Sequence, residues 1–176
     1  DVAGRYLPGF SAQPVFRSDR FGRGGDHTPF HQAGFAAVRF TTPTEQLENQ
    51  HNALDTPSRV SMPYTTQVTR AVGAALMHLG LAPKPPAVGA IGRGATRYDA
   101  DLRWKQEPAE PDLAGFAVVV RSTTSPFWER EIFVGNIDHT TLQNVLIDEV
   151  VLGVRAIDKD GLESLVSAWA IRERAR

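Results

Sequence analysis

The chain has 176 residues, 41 % of them hydrophobic and 22 % charged, with 19 Lys and Arg against 20 Asp and Glu and a formal net charge of −1. That balance offers neither a basic field for nucleic acid nor the acidic excess of a disordered tail, and the length suits one domain or two small ones. The absence of cysteine excludes disulfides, thiolate metal sites and cysteine nucleophiles, while leaving an oxidising compartment open.

No apolar run approaches the roughly 20 residues of a membrane-spanning helix, so a soluble protein is expected. The chain opens Asp1-Val2-Ala3-Gly4, with neither an initiator Met nor a signal-peptide pattern, and reads as a processed product or a fragment. The first informative stretch is Gly24-Gly25-Asp26-His27-Thr28-Pro29-Phe30. The two glycines allow close backbone approach or positive φ, and Thr28-Pro29-Phe30 suits the start of a short helix. Two readings of Asp26 and His27 stand side by side. Asp26 is a helix N-cap and His27 a half-buried hydrogen-bonder, or the pair supports a metal cluster from behind its ligands.

Residues 35–41, Phe-Ala-Ala-Val-Arg-Phe-Thr, form an apolar run between Gly34 and a Thr/Pro loop and are expected to be a buried strand. A polar loop follows and carries His51, with Asp55 four residues on. A loop after a strand is where α/β proteins place ligands, and a neutral imidazole there is a good zinc donor if an acid such as Asp55 fixes its tautomer; a surface histidine without a role is the competing reading. Val68, Val72, Ala75, Leu76 and Leu79 recur at helical spacing, with Ser61 and Pro63 at the start and Gly80 at the exit. Strand, irregular loop and closing helix fit an α/β arrangement.

From Leu81 to Gly94 the sequence is LAPKPPAVGAIGRG, in which Pro83, Pro85 and Pro86 deny helix and mark residues 83–94 as a linker between domains 1–82 and 95–176. Beyond it the period becomes two. Leu102 and Trp104, then Phe116, Val118 and Val120, then Val150, Leu152, Val154 and Ala156 alternate, and about seven short strands separated by turns indicate a β-sandwich. Asp158-Lys159-Asp160-Gly161 lacks the further oxygen ligands of a calcium loop and is expected to be a hairpin turn. His78, off the apolar stripe, and His139, in a turn, are expected to be solvated. Residues 1–83 carry seven basic and six acidic side chains (+1) and residues 84–176 twelve and fourteen (−2), so neither half is an electrostatic hook. No serine-hydrolase elbow, P-loop or dinucleotide fingerprint is present.

The ordered set Gly25, Asp26, His27, Pro29, Phe30, Ala33, Gly34, residues 35–41, His51 and Asp55 resembles the closing third of the co-catalytic dizinc aminopeptidases. These are the secreted bacterial leucyl aminopeptidase type, related to glutamate carboxypeptidase and glutaminyl cyclase. The resemblance implies the C-terminal part of an α/β/α zinc-peptidase domain that removes N-terminal residues from peptides. His51 would be a ligand in a two-zinc site, with Asp26, His27 and Asp55 behind the ligands and Val38, Phe40 and Gln50 near the substrate's first side chain. Arg23 would stand where some relatives place a tyrosine to steady the oxyanion. The family's remaining ligands, a His-x-Asp pair, a Glu-Glu pair and a further acid, are not found before Asp26. Residues 1–25 contain no histidine or glutamate, and only Asp1 and Asp19. The chain is therefore expected to be inactive without the rest of the peptidase domain.

The second half resembles a fibronectin type III domain, with Val150 where the corner tyrosine is expected. Secreted bacterial hydrolases often carry such modules, which points to a secreted or periplasmic location; the peptidase resemblance implies a peptide substrate, and the balanced charge and lack of a spanning apolar run leave no nucleic-acid or membrane partner expected. The alternatives are a non-catalytic binding homologue or a glutaminyl cyclase-type transferase. The latter usually carries an aromatic residue where Gln50 stands. A third possibility makes the sandwich the working part, with Phe127 and Trp128 facing a polymer or partner.

Overall fold

The computed structural model describes residues 2–15, 24–42, 47–93 and 98–169. They fall into two units that divide between Leu76 and Met77, within the long helix rather than at the expected linker.

The first unit holds α1 (Val2–Tyr6), α2 (His27–Gln32), 3-10 turns at Leu47–Asn49 and Pro57–Arg59, and most of α3 (Met62–Leu81). Pro63, whose missing N–H costs nothing in a first turn, lies one residue into α3, and the Ser61 carbonyl accepts the Thr65 N–H at 2.9 Å. Pro83 bars any continuation. Helix α2 stops at Gly34, which takes φ +85; its N–H reaches the His31 carbonyl, and the Phe35 N–H reaches the Phe30 carbonyl. These paired bonds form the left-handed glycine stop that leaves few carbonyls orphaned.

Two expectations fail in this unit. Residues 35–41 are not a strand, and Val38 stands 78 % exposed. A strand needs neighbours to take its backbone N–H and carbonyl groups, and no strand of the first unit lies among the described residues. The expected α/β sheet is accordingly absent from them. The apolar stripe of α3 holds only in part. Val68, Val72 and Ala75 are half-buried as expected, but Leu76 and Leu79 are exposed, whereas Ala71 and His78 are buried. The more buried face thus runs through 68, 71, 72, 75 and 78, still at helical spacing.

The second unit is a sandwich of two antiparallel sheets. The first pairs β3 (Ala100–Lys105) with β1 (Ala87–Val88), β2 (Gly92–Arg93) and β6 (His139–Leu142). The second runs β5 (Arg130–Gly135), β4 (Leu113–Ser122), β7 (Val150–Asp158) and β8 (Ser167–Ala168). The alternation read in the sequence is the core: Ala100, Leu102 and Trp104 face Phe116, Val118 and Val120 with Leu152, Val154, Ala156 and Trp169. Trp104 packs edge-on against Phe116 at 5.6 Å and Trp169 at 6.3 Å, as ring quadrupoles favour. Gly153 brings the chain's last described segment close, since a Cβ there would lie 2.4 Å from Val166 Cγ1. Residues 83–94 are more than a linker: they carry β1 and β2, with Val88 opposite Trp104 and Gly92 opposite Asp101. Prolines are compatible with this because β1 is an edge strand.

The Asp158–Gly161 segment is the expected hairpin turn. Asp158 Oδ1 accepts the N–H groups of Asp160 and Leu162 at 2.9 and 2.8 Å, and Gly161 takes φ +77. His139 is exposed and bonds Asp138 at 2.8 Å; that bond holds the Asp138 carboxyl below its ordinary pKa. His78 departs from expectation. It is 5 % exposed, and its Nε2 accepts the Glu163 N–H at 3.4 Å, which fastens the end of α3 to the return leg of the hairpin turn, where Glu163 bridges Ile157.

Candidate functional site

The residues singled out by the sequence lie on three local structures of the first unit. The first is α2 and its approach. Asp26 occupies the position before the helix with φ −61 and ψ −21 and makes no side-chain cap bond. An N-cap carboxylate reaches forward only from extended backbone, so its helical φ/ψ is the physical reason the capping role fails. Thr28 Oγ1 instead accepts the Gly25 N–H at 3.1 Å. His27 is half-buried, its Nδ1 is buried without a hydrogen-bond partner, and its ring meets that of His31 edge-on at 5.7 Å. His31 Nε2 donates to the Ala37 carbonyl at 2.6 Å, because a carbonyl can only accept. His31 thereby ties α2 to the extended stretch behind it.

That stretch, residues 35–42, carries Val38 and Phe40, both exposed. Thr42 Oγ1 lies 3.3 Å from the Tyr64 hydroxyl, which links its end to α3. Arg23 lies outside the described residues.

The third structure is the loop with His51. The Leu47–Asn49 turn closes with Gln50 N–H on the Leu47 carbonyl at 3.2 Å, and Gln50 is half-buried. His51 then takes φ +60, a left-handed conformation uncommon for a residue with a Cβ. Its side chain is exposed, as is Asp55. Asn52, which the sequence reading passed over, binds on both sides of His51: Nδ2 donates to the Glu48 carbonyl at 2.8 Å and the Gln50 carbonyl at 3.3 Å, and Oδ1 accepts the Leu54 N–H at 2.8 Å. The signal was available, since asparagine commonly bonds backbone two residues on.

As a donor set for zinc, these residues are partial. His51 fits the part of one ligand, an exposed imidazole on a braced turn. No group of three or more His, Cys, Asp or Glu able to hold a metal occurs among the described residues, and no hydrogen bond among them joins the His51 ring to Asp26 or Asp55. A catalytic zinc takes about three protein donors, so the described residues do not hold one unaided.

Among curated proteins, the chain is similar to "Probable zinc metalloprotease Lema_P086240" of Leptosphaeria maculans, 34 % identical over 166 residues, which covers 89 % of this chain and 38 % of that protein. It is similar also to a probable zinc metalloprotease of Pyrenophora tritici-repentis (29 % over 175 residues, 93 % and 40 %) and to one of Pyricularia oryzae (30 % over 177 residues, 93 % and 35 %). The chain therefore spans about two fifths or less of these relatives, and the likeness crosses both units. No family model matches. Similar solved structures include the human collagen XX fibronectin type III domain, 22 % identical over 48 % of this chain and 88 % of that one with a TM-score of 0.38. Titin module A71 from human cardiac muscle is 21 % identical over 49 % and 83 %, at 0.36. The sandwich rests on its strand pairing, to which these likenesses add nothing.

Proposed function

We propose that the chain is part of a zinc-dependent peptidase, of the aminopeptidase type that acts on free N-termini, and that it is inactive on its own. The observation that carries this reading is His51, an exposed imidazole held at φ +60 in a chain whose curated relatives are described as probable zinc metalloproteases. Zinc at such a site, two ions in the complete arrangement, would supply Lewis-acid polarisation of the scissile carbonyl and a more acidic water, with His51 as one of its ligands. In this reading His51 donates a neutral imidazole nitrogen, while Asp26, His27 and Asp55 orient groups around it. Val38, Phe40 and Gln50 border the substrate's first side chain, and Arg23 supports the oxyanion. The unburied apolar side chains of the first unit, Phe35, Val38, Phe40 and Leu54 among them, support a further element of the reading: the remainder of the peptidase domain covers them and supplies the other ligands. The domains proposed are a peptidase portion to residue 82 and a sandwich that takes in β1 and β2 of the 83–94 segment as well as residues 95–176, in a secreted or periplasmic protein.

The test uses the parent protein. Its zinc content is measured by mass spectrometry and its hydrolysis of an aminoacyl anilide is followed before and after chelation. Activity should vanish with the metal and return with zinc, and His51→Ala should lower the rate by more than about a hundredfold. A zinc-free parent, or His51→Ala with full metal and rate, would overturn the peptidase reading. Equal cleavage of an N-acetylated peptide would overturn the aminopeptidase part alone.

A further inference from the structure

Nothing in the composition of the 47–56 loop requires His51 to leave the ordinary backbone regions. A residue with a Cβ enters the left-handed region only where its surroundings over-determine it, and this loop contains neither glycine nor a buried anchor at residues 51–56. The side chain of Asn52 supplies the constraint. Both protons of its amide nitrogen are used, on the Glu48 and Gln50 carbonyls, and its oxygen takes the Leu54 N–H. Two of these partners precede His51 and one follows it, so a single planar group spans the residue and fixes the chain direction on either side.

We infer that Asn52 is a positioning residue: its amide clamps the turn from Glu48 to Leu54 and thereby holds His51 in the left-handed conformation that presents its imidazole. What the imidazole is presented to rests on the zinc-peptidase reading above; the clamp itself does not. The geometry demands an amide. Aspartate at this position could still accept from Leu54, but a carboxylate has no proton for the Glu48 and Gln50 carbonyls. Alanine loses all three bonds.

The clamp is tested on the 176-residue chain by NMR. A short intraresidue distance between the amide and α protons marks positive φ at His51, and amide exchange at Leu54 reports the third bond. Asn52→Ala should weaken the His51 proton contact and speed Leu54 exchange roughly tenfold. Asn52→Asp should weaken the same contact while leaving Leu54 exchange within about twofold of wild type. Neither variant should move exchange in the first-unit part of α3, residues 66–76, which a general loss of structure in that unit would do. An unchanged His51 proton contact in both variants overturns the clamp.

In the parent, zinc retention against a competing chelator should fall roughly ten- to a hundredfold for Asn52→Ala. Unchanged retention despite a lost His51 contact overturns the positioning role while sparing the clamp. A parent that never holds zinc sinks the peptidase reading, and with it the positioning role, independently of the NMR result.

Discussion

The sandwich and the first unit have similar access to apolar residues and use them in opposite ways. In the sandwich Leu102, Val118, Leu152 and Val154 are fully buried in one cluster. In the first unit Ala71 is the one buried apolar side chain among the described residues, while Phe30, Phe35, Val38, Phe40, Leu47, Leu54 and Val60 stand exposed. A domain of this size ordinarily buries about 60 % of the surface its unfolded chain exposes. The difference teaches where stability resides: the second unit carries its own core, and the first carries loops and helices whose local hydrogen bonds define them without one.

Core truncation should break this contrast most sharply. Leu102→Ala removes a side chain with 0 % exposure and should cost about 2–5 kcal/mol, measured by denaturant unfolding of the sandwich. Phe40→Ala, at 48 % exposure, should stay within about 0.5 kcal/mol in the same experiment. Equal effects would erase the distinction between the units.

An intermediate effect is expected at Gly153. A Cβ there would meet Val166 Cγ1 at 2.4 Å and Trp128 Cη2 at 3.0 Å, and overfilling a packed contact costs about 1–3 kcal/mol. Gly153→Ala should therefore lower the thermal midpoint and disturb the Trp128 fluorescence, since that ring also lies 5.5 Å beneath the Arg121 guanidinium.

The smallest effect belongs to Glu129, whose carboxylate accepts the Ser122 N–H at 2.9 Å. That bond, with others from Ser125 and Ser122, holds its pKa below the ordinary glutamate value. A depressed carboxylate pKa contributes stability above the unfolded-state value, and the contribution disappears as pH falls through the folded-state value. Glu129→Gln should thus be slightly less stable than wild type at neutral pH, and the gap should close as the solution becomes acidic. A gap that widens on acidification contradicts the assigned cause.

Legibility followed the same division. The period-two pattern of Leu102–Trp104, Phe116–Val120 and Leu152–Ala156 was readable because each of those strands has a neighbour to complete it. Gly34 was legible as the border of the 35–41 run, whereas its part as the left-handed stop of α2 was not read, although such stops favour glycine. Residues 35–41 misled because an apolar run states a preference for burial, and the described first unit offers no sheet to satisfy it. The stripe of α3 misled for a different reason. His78 is polar and scores against burial, yet the Glu163 N–H gives its ring a partner, and a tertiary bond of that kind leaves no trace in local spacing. In the candidate site, His51 and Asp55 were legible as residue types. The brace of Asn52 lies in side-chain geometry that a motif does not spell.

The prolines before β1 have a consequence for the molecule in crowded company. Pro83, Pro85 and Pro86 offer no N–H groups beside a two-residue border strand, so a stray extended peptide finds almost no ladder to extend along that margin. In the other sheet, the edge strand β5 shows Arg130 and Glu131 to solvent, and burying those charges against a second copy would be costly. Each sheet thus has one edge that resists the addition of a further strand, which works against fibrous self-association along those two edges at high local concentration.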